Sequence, residues 1–309
     1  MKCSIIILNW NGVAHLRTYL PSVLKANSQE PIADIIVADN GSTDNSLEML
    51  ANEFPSVKTI VLDKNYGFAE GYNRAIDQWL ESQELIVHSQ KPEYIVLLNS
   101  DVEVTEGWLK PLLDYMDTHA DVAAVQPKIR SWRNKAFFEH AGAAGGFINA
   151  LGYPYCRGRV LWHVEEDKGQ YDTPIEVDWT SGACMLVRTQ VYKDCGGLDA
   201  SFFAHMEEID LCWRMRNAGW RLMCLPQSVV YHLGGGSLAY ESPRKTYLNH
   251  RNNLLMIRKN KQHPGGVLLI RFFLDYAAAL FYLLQGRWAA CKAVFQARRD
   301  YHKMLETKA

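Results

Sequence analysis

The stretch FFAHMEEIDLCWRMR (202–216) crowds Glu207, Glu208 and Asp210 into four positions. Like charges this close repel, so one of them tends to keep its proton at a raised pKa. Two uses compete. Acids suit a solvated helix start, where the backbone dipole is positive; a carboxylate of raised pKa is also a general base. Other residues with chemistry lie upstream and downstream. Asp101 in NSD (99–101) has Glu103 two positions on, and at a strand end both can point oxygens at one hard cation; a turn acid before the next helix is the plainer use. Asp39 in VADNGSTDNS (37–46) is placed to accept from a ligand's N–H groups, while GSTD supplies a tight turn and an N-cap. NYGFAEGYNRA (65–75) sets Gly67 and Gly71 around a helix start, which can cradle an anion or be an ordinary turn. His232, in VVYHLGGGS (229–237), is either structural or joins Asp101 in an octahedral site completed by phosphate oxygens and water.

These residues need a frame. SIIIL (4–8), DIIVA (34–38), VKTIVL (57–62), YIVLL (94–98) and VAAV (122–125) read as buried parallel strands. The stretches between them carry helical periodicity, and this alternation predicts an α/β fold with a parallel sheet and helices on both faces. Each early strand ends in a polar loop, NWNG, DNGSTD, DKNYGFAEG or NSDVE. Ligands of open α/β sheets bind at the carboxyl ends of strands, so the four loops belong on one rim. Residues 131–175 read as an irregular excursion over that rim. After it come a strand CMLVR (184–188), a short helix, a helix over 207–218 closed by Gly219, and a returning strand RLMCL (221–225). Asp210 is placed to cap its helix or pair with Arg214, four residues on.

The chain of 309 residues has room for one large domain and an appendage. Seven cysteines, odd in number and with no CxxC pair, argue against a zinc site or disulfide framework and for a reducing compartment. SIIIL is too short for a signal peptide. No G-x-G-x-x-G follows the first strand and no P-loop occurs, which excludes the common dinucleotide and P-loop readings.

Taken together, SIIILNWNG, VADNGSTDNS, NYGFAEGYNRA, LLNSDVEVTEGWL, DWTSGACMLVR and GGLDASFFAHMEEIDLCWRMRNAGW resemble family 2 glycosyltransferases of the GT-A fold, most closely a bacterial rhamnosyltransferase-like branch, over roughly residues 3 to 235. The resemblance implies an inverting, metal-dependent transfer of a sugar from a nucleotide-diphosphate donor to a hydroxyl of a glycan or lipid-linked glycan in surface polysaccharide synthesis. Rhamnose is the branch's best-known donor sugar. Asp39 matches the acid that reads the nucleotide base, beside the Asn9–Asn11 loop; Asn40, Gly67, Gly71, Asn73 and Ser100 lie in the same donor-side motifs. Asp101 matches the last acid of the metal-binding motif, whose first position here is Asn99, and His232 a histidine near the metal and diphosphate. The implied cofactor is Mg2+ or Mn2+. Glu208 matches the base, with Glu207 its rival. The alternatives are a nucleotidyltransferase, which wants a basic Gly-rich loop that NWNG lacks, and a non-catalytic nucleotide-sugar-binding module.

The boundary of that domain is expected at residue 242, with a helical extension over 243–309. The extension holds thirteen Lys+Arg and three Asp+Glu, against twenty and thirty-one in the rest of the chain. Within it, VLLIRFFLDYAAALFYLL (267–284) carries two charges, Arg271 and Asp275, spaced to pair on one helical face. Positive flanks on both sides suit a helix lying in the cytoplasmic interface of an anionic membrane better than one crossing it. A soluble packing helix or a homodimer interface is the competing use. The expected partners are thus a donor, an acceptor and a membrane surface, with no nucleic acid, and the expected place is the inner face of the plasma membrane.

Overall fold

A computed structural model describes residues 2–85, 91–140, 142–160, 163–234 and 242–306. In chain order the elements are β1 (Cys3–Asn9), α1 (Val13–Gln29), β2 (Ala33–Asp39), α2 (Ser46–Glu53), β3 (Lys58–Val61), α3 (Gly67–Glu84), β4 (Tyr94–Asn99), β5 (Val102–Val104), α4 (Leu109–Thr118) and β6 (Val122–Ser131). Two small antiparallel pairs follow, β7 (Gly146–Ile148) with β8 (Pro154–Cys156) and β9 (Arg159–Val160) with β10 (His163–Val164). The chain then runs through β11 (Ile175–Glu176), β12 (Cys184–Arg188), α5 (Thr189–Asp194), a 3-10 turn (Ala200–Phe202), α6 (Glu207–Asn217), β13 (Arg221–His232), α7 (Pro243–Asn260), α8 (Gly265–Leu284) and α9 (Trp288–Glu306).

The main sheet has the order β11-β13-β6-β12-β4-β1-β2-β3, with β5 on β13. Neighbours β1, β2, β3 and β4 run parallel, as do β6 and β13, and this matches the expected α/β class. Pleating sends Ile5 and Ile7 into one buried cluster and Ile6 into the other, so the sheet is covered on both faces. Three details differ from the sequence expectation. CMLVR is antiparallel to both its neighbours. The excursion over 131–175 holds the short strands β7 to β10. The returning strand continues past Leu225 to His232, through an irregularity between Leu225 and Val229. Pro226 sits in that bulge, where its missing N–H costs no ladder bond.

Register places the motifs. Asn9 lies beside Asp39, Leu8 beside Asn99, and Leu98 beside Cys184. The ends of β1, β2 and β4 and the start of β12 therefore meet on one rim. At the far side His232 pairs with Val102 and the Leu233 amide donates to the Asp101 carbonyl at 3.1 Å. All four polar loops except the 63–66 turn are tied to this rim by strand pairing; that turn joins it through Asn40, as described below.

The C-terminal helices are packed onto this frame. Leu254, Leu255 and Met256 of α7 and Tyr301 of α9 belong to the same apolar cluster as Ile6 and Tyr72. Residues 235–241, just ahead of the expected boundary at 242, lie outside the described residues.

Candidate active site

The carboxyl-end rim is a lattice of side-chain hydrogen bonds to other side chains and to backbone. The Asn9 amide donates to Asp39 Oδ2 at 3.0 Å and to Ser42 Oγ at 3.2 Å, while the Ser42 amide donates to Asp39 Oδ1 at 2.8 Å. Asn11, held at φ +50°, accepts the amides of Thr43 and Asp44 at 2.7 and 3.3 Å. Asp44 in turn accepts the Val13 and Ser46 amides, tying the starts of α1 and α2 together. Asn40 grips the next loop: its amide donates to the Gly67 carbonyl at 2.9 Å and its oxygen accepts from the Tyr66 amide at 3.0 Å. Gly67 sits at φ +79°, and an added Cβ there would meet the Phe203 ring at 2.7 Å. Gly71 is equally required, because a Cβ would lie 2.9 Å from the Asn40 amide nitrogen. Ser100 lies beside the Gly12 turn. Asn73 points elsewhere. Its side chain binds the Leu198 carbonyl and amide and the Tyr192 hydroxyl, so it braces the 192–198 turn instead of facing the rim. One polar atom of the rim is left over: Asn9 Oδ1 is buried without a partner.

Asp101 and His232 come together. Asp101 is 6% exposed and His232 8%, and Nε2 lies 3.2 Å from the carboxylate. Burial alone would lower the imidazole pKa, but Asp101 and then Glu139, 3.6 Å from Nδ1, raise it to about 10. The same contact outweighs burial at Asp101 and holds its carboxyl below the usual range. Glu103 does not join them, contrary to the spacing argument: it accepts from Trp132 Nε1 at 2.8 Å and pairs with Lys135. Among the described residues no three His, Cys, Asp or Glu side chains converge on one point to hold a metal by themselves.

The crowded carboxylates occupy the first turn of α6. Asp210 is structural, fixed by Arg214 at 2.8 Å and by the Asn260 amide at 2.7 Å. Glu207 and Glu208 are different. Each has one buried carboxyl oxygen with no partner. Burial, then the charge of Glu208, pushes the Glu207 pKa well above the ordinary range. Burial also raises Glu208, against the pull of the amides of Glu208, Ile209, Gly182 and Met206. Glu207 is 4% exposed, while Glu208 retains partial access and packs its Cβ against Gly182 of the DWTSGA loop.

The loop that delivers this pair is strained. Phe203, His205 and Met206 have φ of +65°, +69° and +76°, a region that non-glycine residues seldom adopt. The restraint comes from α7. The Asn252 amide lies 3.1, 2.8 and 2.7 Å from the carbonyls of Phe202, Ala204 and His205, and Arg251 donates to those of Ser201 and Phe202. Phe203 also accepts the Phe68 amide at 2.9 Å, which joins the carboxylate loop to the Gly67 turn. His205 is half-buried near Lys245, and desolvation and then the Lys245 charge lower its pKa, to about 4. Sequence reasoning missed Asn252. Its signal was LNHRNNLL (248–255), a polar run inside an otherwise apolar helix face.

A mostly parallel sheet flanked by helices, with its polar loops gathered on one carboxyl rim, is the architecture of GT-A transferases. The sequence model of glycosyl transferase family 2 matches residues 4–196, and the chain belongs to that family: it is a glycosyltransferase. It is 24% identical over 264 residues to the N-acetylglucosaminyl-diphospho-decaprenol L-rhamnosyltransferase of Mycobacterium tuberculosis, covering 84% of this chain and 85% of that one. It is also 24% identical over 280 residues to the dTDP-rhamnosyl transferase RfbF of Shigella flexneri, with 85% of each covered. Among solved structures, S. aureus TarS 1-349 with UDP-GlcNAc aligns over 97% of this chain and 80% of that one, with a TM-score of 0.62 and 18% identity. GalNAc-T7 with UDP, GalNAc and Mn2+ gives 0.60 at 14% identity; this chain spans 48% of its length and is covered over 84% of its own.

Proposed function

We propose that the protein is an inverting glycosyltransferase that moves a deoxyhexose, rhamnose first among candidates, from a nucleoside-diphosphate sugar to a hydroxyl of a lipid-linked glycan in surface polysaccharide synthesis. The observation that carries this is the buried Glu207–Glu208 pair, each with an orphan oxygen, placed by Phe203 against the Gly67 turn of the donor rim. An acid whose pKa is raised by burial is a stronger proton acceptor than an exposed one. Glu208, the more accessible, takes the acceptor's proton as its oxygen bonds to the anomeric carbon. The bond from that carbon to the diphosphate breaks, and its electron pair leaves with the nucleoside diphosphate. Glu207 stays protonated beside it, since two adjacent buried carboxylates do not both ionise readily. Asp39, its two oxygens already oriented by Asn9 and Ser42, is the acceptor for base N–H groups.

A divalent cation fits Asp101. Asp101 would hold it through its carboxylate, and His232 would join only on giving up the proton that Asp101 and Glu139 stabilise. When bound, such an ion supplies neutralising charge for the leaving diphosphate. The rhamnosyltransferase relatives favour a dTDP-sugar donor and a polyprenyl-diphosphate-linked acceptor, and with them a position at the inner face of the plasma membrane.

The test is transfer assayed over a panel of nucleotide sugars, with Mg2+, Mn2+ or EDTA, and with product stereochemistry read by NMR. Glu208→Gln should cut turnover by about 10²-fold or more while leaving donor affinity near wild type. Retention of configuration, or an active Glu208→Gln beside an inactive Glu207→Gln, refutes the assignment of the base; undiminished activity in excess EDTA refutes that of the cation.

A further inference from the structure

The apolar helix at the C-terminus holds both its charges on one stripe. Arg271, Asp275 and Ala279 are buried, one turn apart, against α7 and α9. Asp275 accepts from His250 Nδ1 at 3.2 Å and pairs with Arg298; Arg271 reaches the Asn253 oxygen and stacks 3.7 Å over the Tyr153 ring. The outer face is bare. Phe273 is 64% exposed and Leu284 78%, with Leu269, Leu280 and Phe281 also above half, and Trp288 at the start of α9 is 65% exposed. From Gly265 to Gln285 every exposed residue is uncharged. A monomer in water does not normally keep so long an apolar face uncovered.

We propose that this outer face of α8, extended by Trp288, docks in the plane of an anionic lipid bilayer. Charge decides the occupant. Arg287 and Lys292 follow the helix at its C-terminal end, Lys261 precedes it in the chain, and between Asp275 and Asp300 the chain has no acid. Two copies meeting on this face would bring positive ends against each other or leave them unpaired, whereas anionic headgroups neutralise both ends at once. Aromatic rings at one border, Tyr282 under the Arg287 guanidinium and Trp288 beside it, suit the headgroup level. The helix is long and apolar enough to cross a membrane by composition. It lies flat instead because α9 packs along it through Asp275–Arg298, so crossing would carry Lys292, Arg298, Arg299 and Asp300 into hydrocarbon. The inference rests on the proposed lipid-linked acceptor for its purpose only, and vesicle binding is read without turnover, so either can fail alone.

The experiment is co-sedimentation of the full chain with phosphatidylglycerol–phosphatidylcholine vesicles and with pure phosphatidylcholine, at low and high salt. We expect binding to the anionic vesicles that high salt weakens at least about tenfold. Phe273→Glu with Phe281→Glu should weaken it by roughly tenfold per residue, with melting temperature and donor hydrolysis unchanged, because both side chains are exposed. Arg287→Glu with Lys292→Glu provides a second, charge-only variant that should lose the preference for anionic lipid. A full chain that stays in the supernatant with anionic vesicles at low salt overturns the proposal. If light scattering then shows a dimer that the double phenylalanine variant splits, the face belongs to a second copy. Binding equal to wild type in both variants overturns it as well.

Discussion

Two clusters of buried charge sit on opposite sides of α7, and they are built by opposite rules. At Arg271–Asp275–Arg298 the acid has a partner on three sides: Arg271, Arg298 and His250. At Glu207–Glu208 two acids are buried side by side, with no cation paired to either among the described residues and an orphan oxygen on each. A carboxylate surrounded by fixed partners is architecture, because its proton equilibrium is settled by the fold. A buried carboxylate lacking a partner is held in readiness for something that arrives later. If the proposed function holds, the contrast separates structural from functional acids where sequence spacing alone does not, since both clusters read as acids on a helix.

The sharpest way to break the contrast is to remove the central acid of the compensated cluster. Asp275→Ala leaves two buried guanidinium groups without their carboxylate and should cost about 3–5 kcal/mol in denaturant unfolding. A loss below about 1 kcal/mol would mean that the cluster is solvated and the contrast false. Next in size is the clamp. Asn252→Ala removes donors to the carbonyls of Phe202, Ala204 and His205, so the loop relaxes and the acid pair drifts. Turnover should fall about tenfold or more with donor KM unchanged, since a small misplacement of a base is expensive. The acid limb of the pH–rate profile should also move, which a merely structural loss would not do. Equal changes in kcat and donor KM would instead place Asn252 among ordinary packing residues.

The smallest effect has an unusual sign. A glutamate whose folded pKa is raised holds a proton that the unfolded chain gives up near pH 4.3, so above that value stability falls as pH rises toward the folded pKa. Glu207→Gln removes the cost. It should raise the melting temperature by roughly 2–4 °C at pH 8 and leave it unchanged near pH 4. An equal shift at both pH values would show that burial of charge is not the cause. The corresponding change at Asp275 can only destabilise, and that difference in sign is the comparison in its most compact form.

Much of this was legible in the sequence, for a physical reason. Strand ends are announced by the break from apolar run to polar loop, and ligand-facing residues of α/β sheets sit there, so Asn9, Asp39 and Asp101 could be placed on one rim by counting. Gly67 was visible because it is a loop glycine at a helix start. What escaped depends on partners distant in the chain. Asn73 and Asn40 lie in the right motifs, yet each spends its amide bracing another turn. Glu103 has the right spacing, but pairing of β5 with β13 carries it to Trp132. Asn252 satisfies carbonyls fifty residues away, and no local pattern encodes that. The extension over 243–309 looked like an appendage because composition reports charge, whereas its role in the core lies in a few buried leucines and amides of α7.

The position of that clamp has a consequence for how the enzyme comes into being. Chains emerge from the ribosome in order, and their segments settle as they emerge. The strands β2 and β4, which lead to Asp39 and Asp101, are complete early and can both pair with β1 at once. The loop from Phe203 to Met206 is made well before Asn252, and until α7 arrives and is backed by α9 the carbonyls of Ala204 and His205 lack the Asn252 amide. On the proposed reading, a nascent chain can thus possess the rim for its donor while the acid pair is still unaimed. On that reading, the competence to transfer is acquired only with α7, after the rim that would hold the donor.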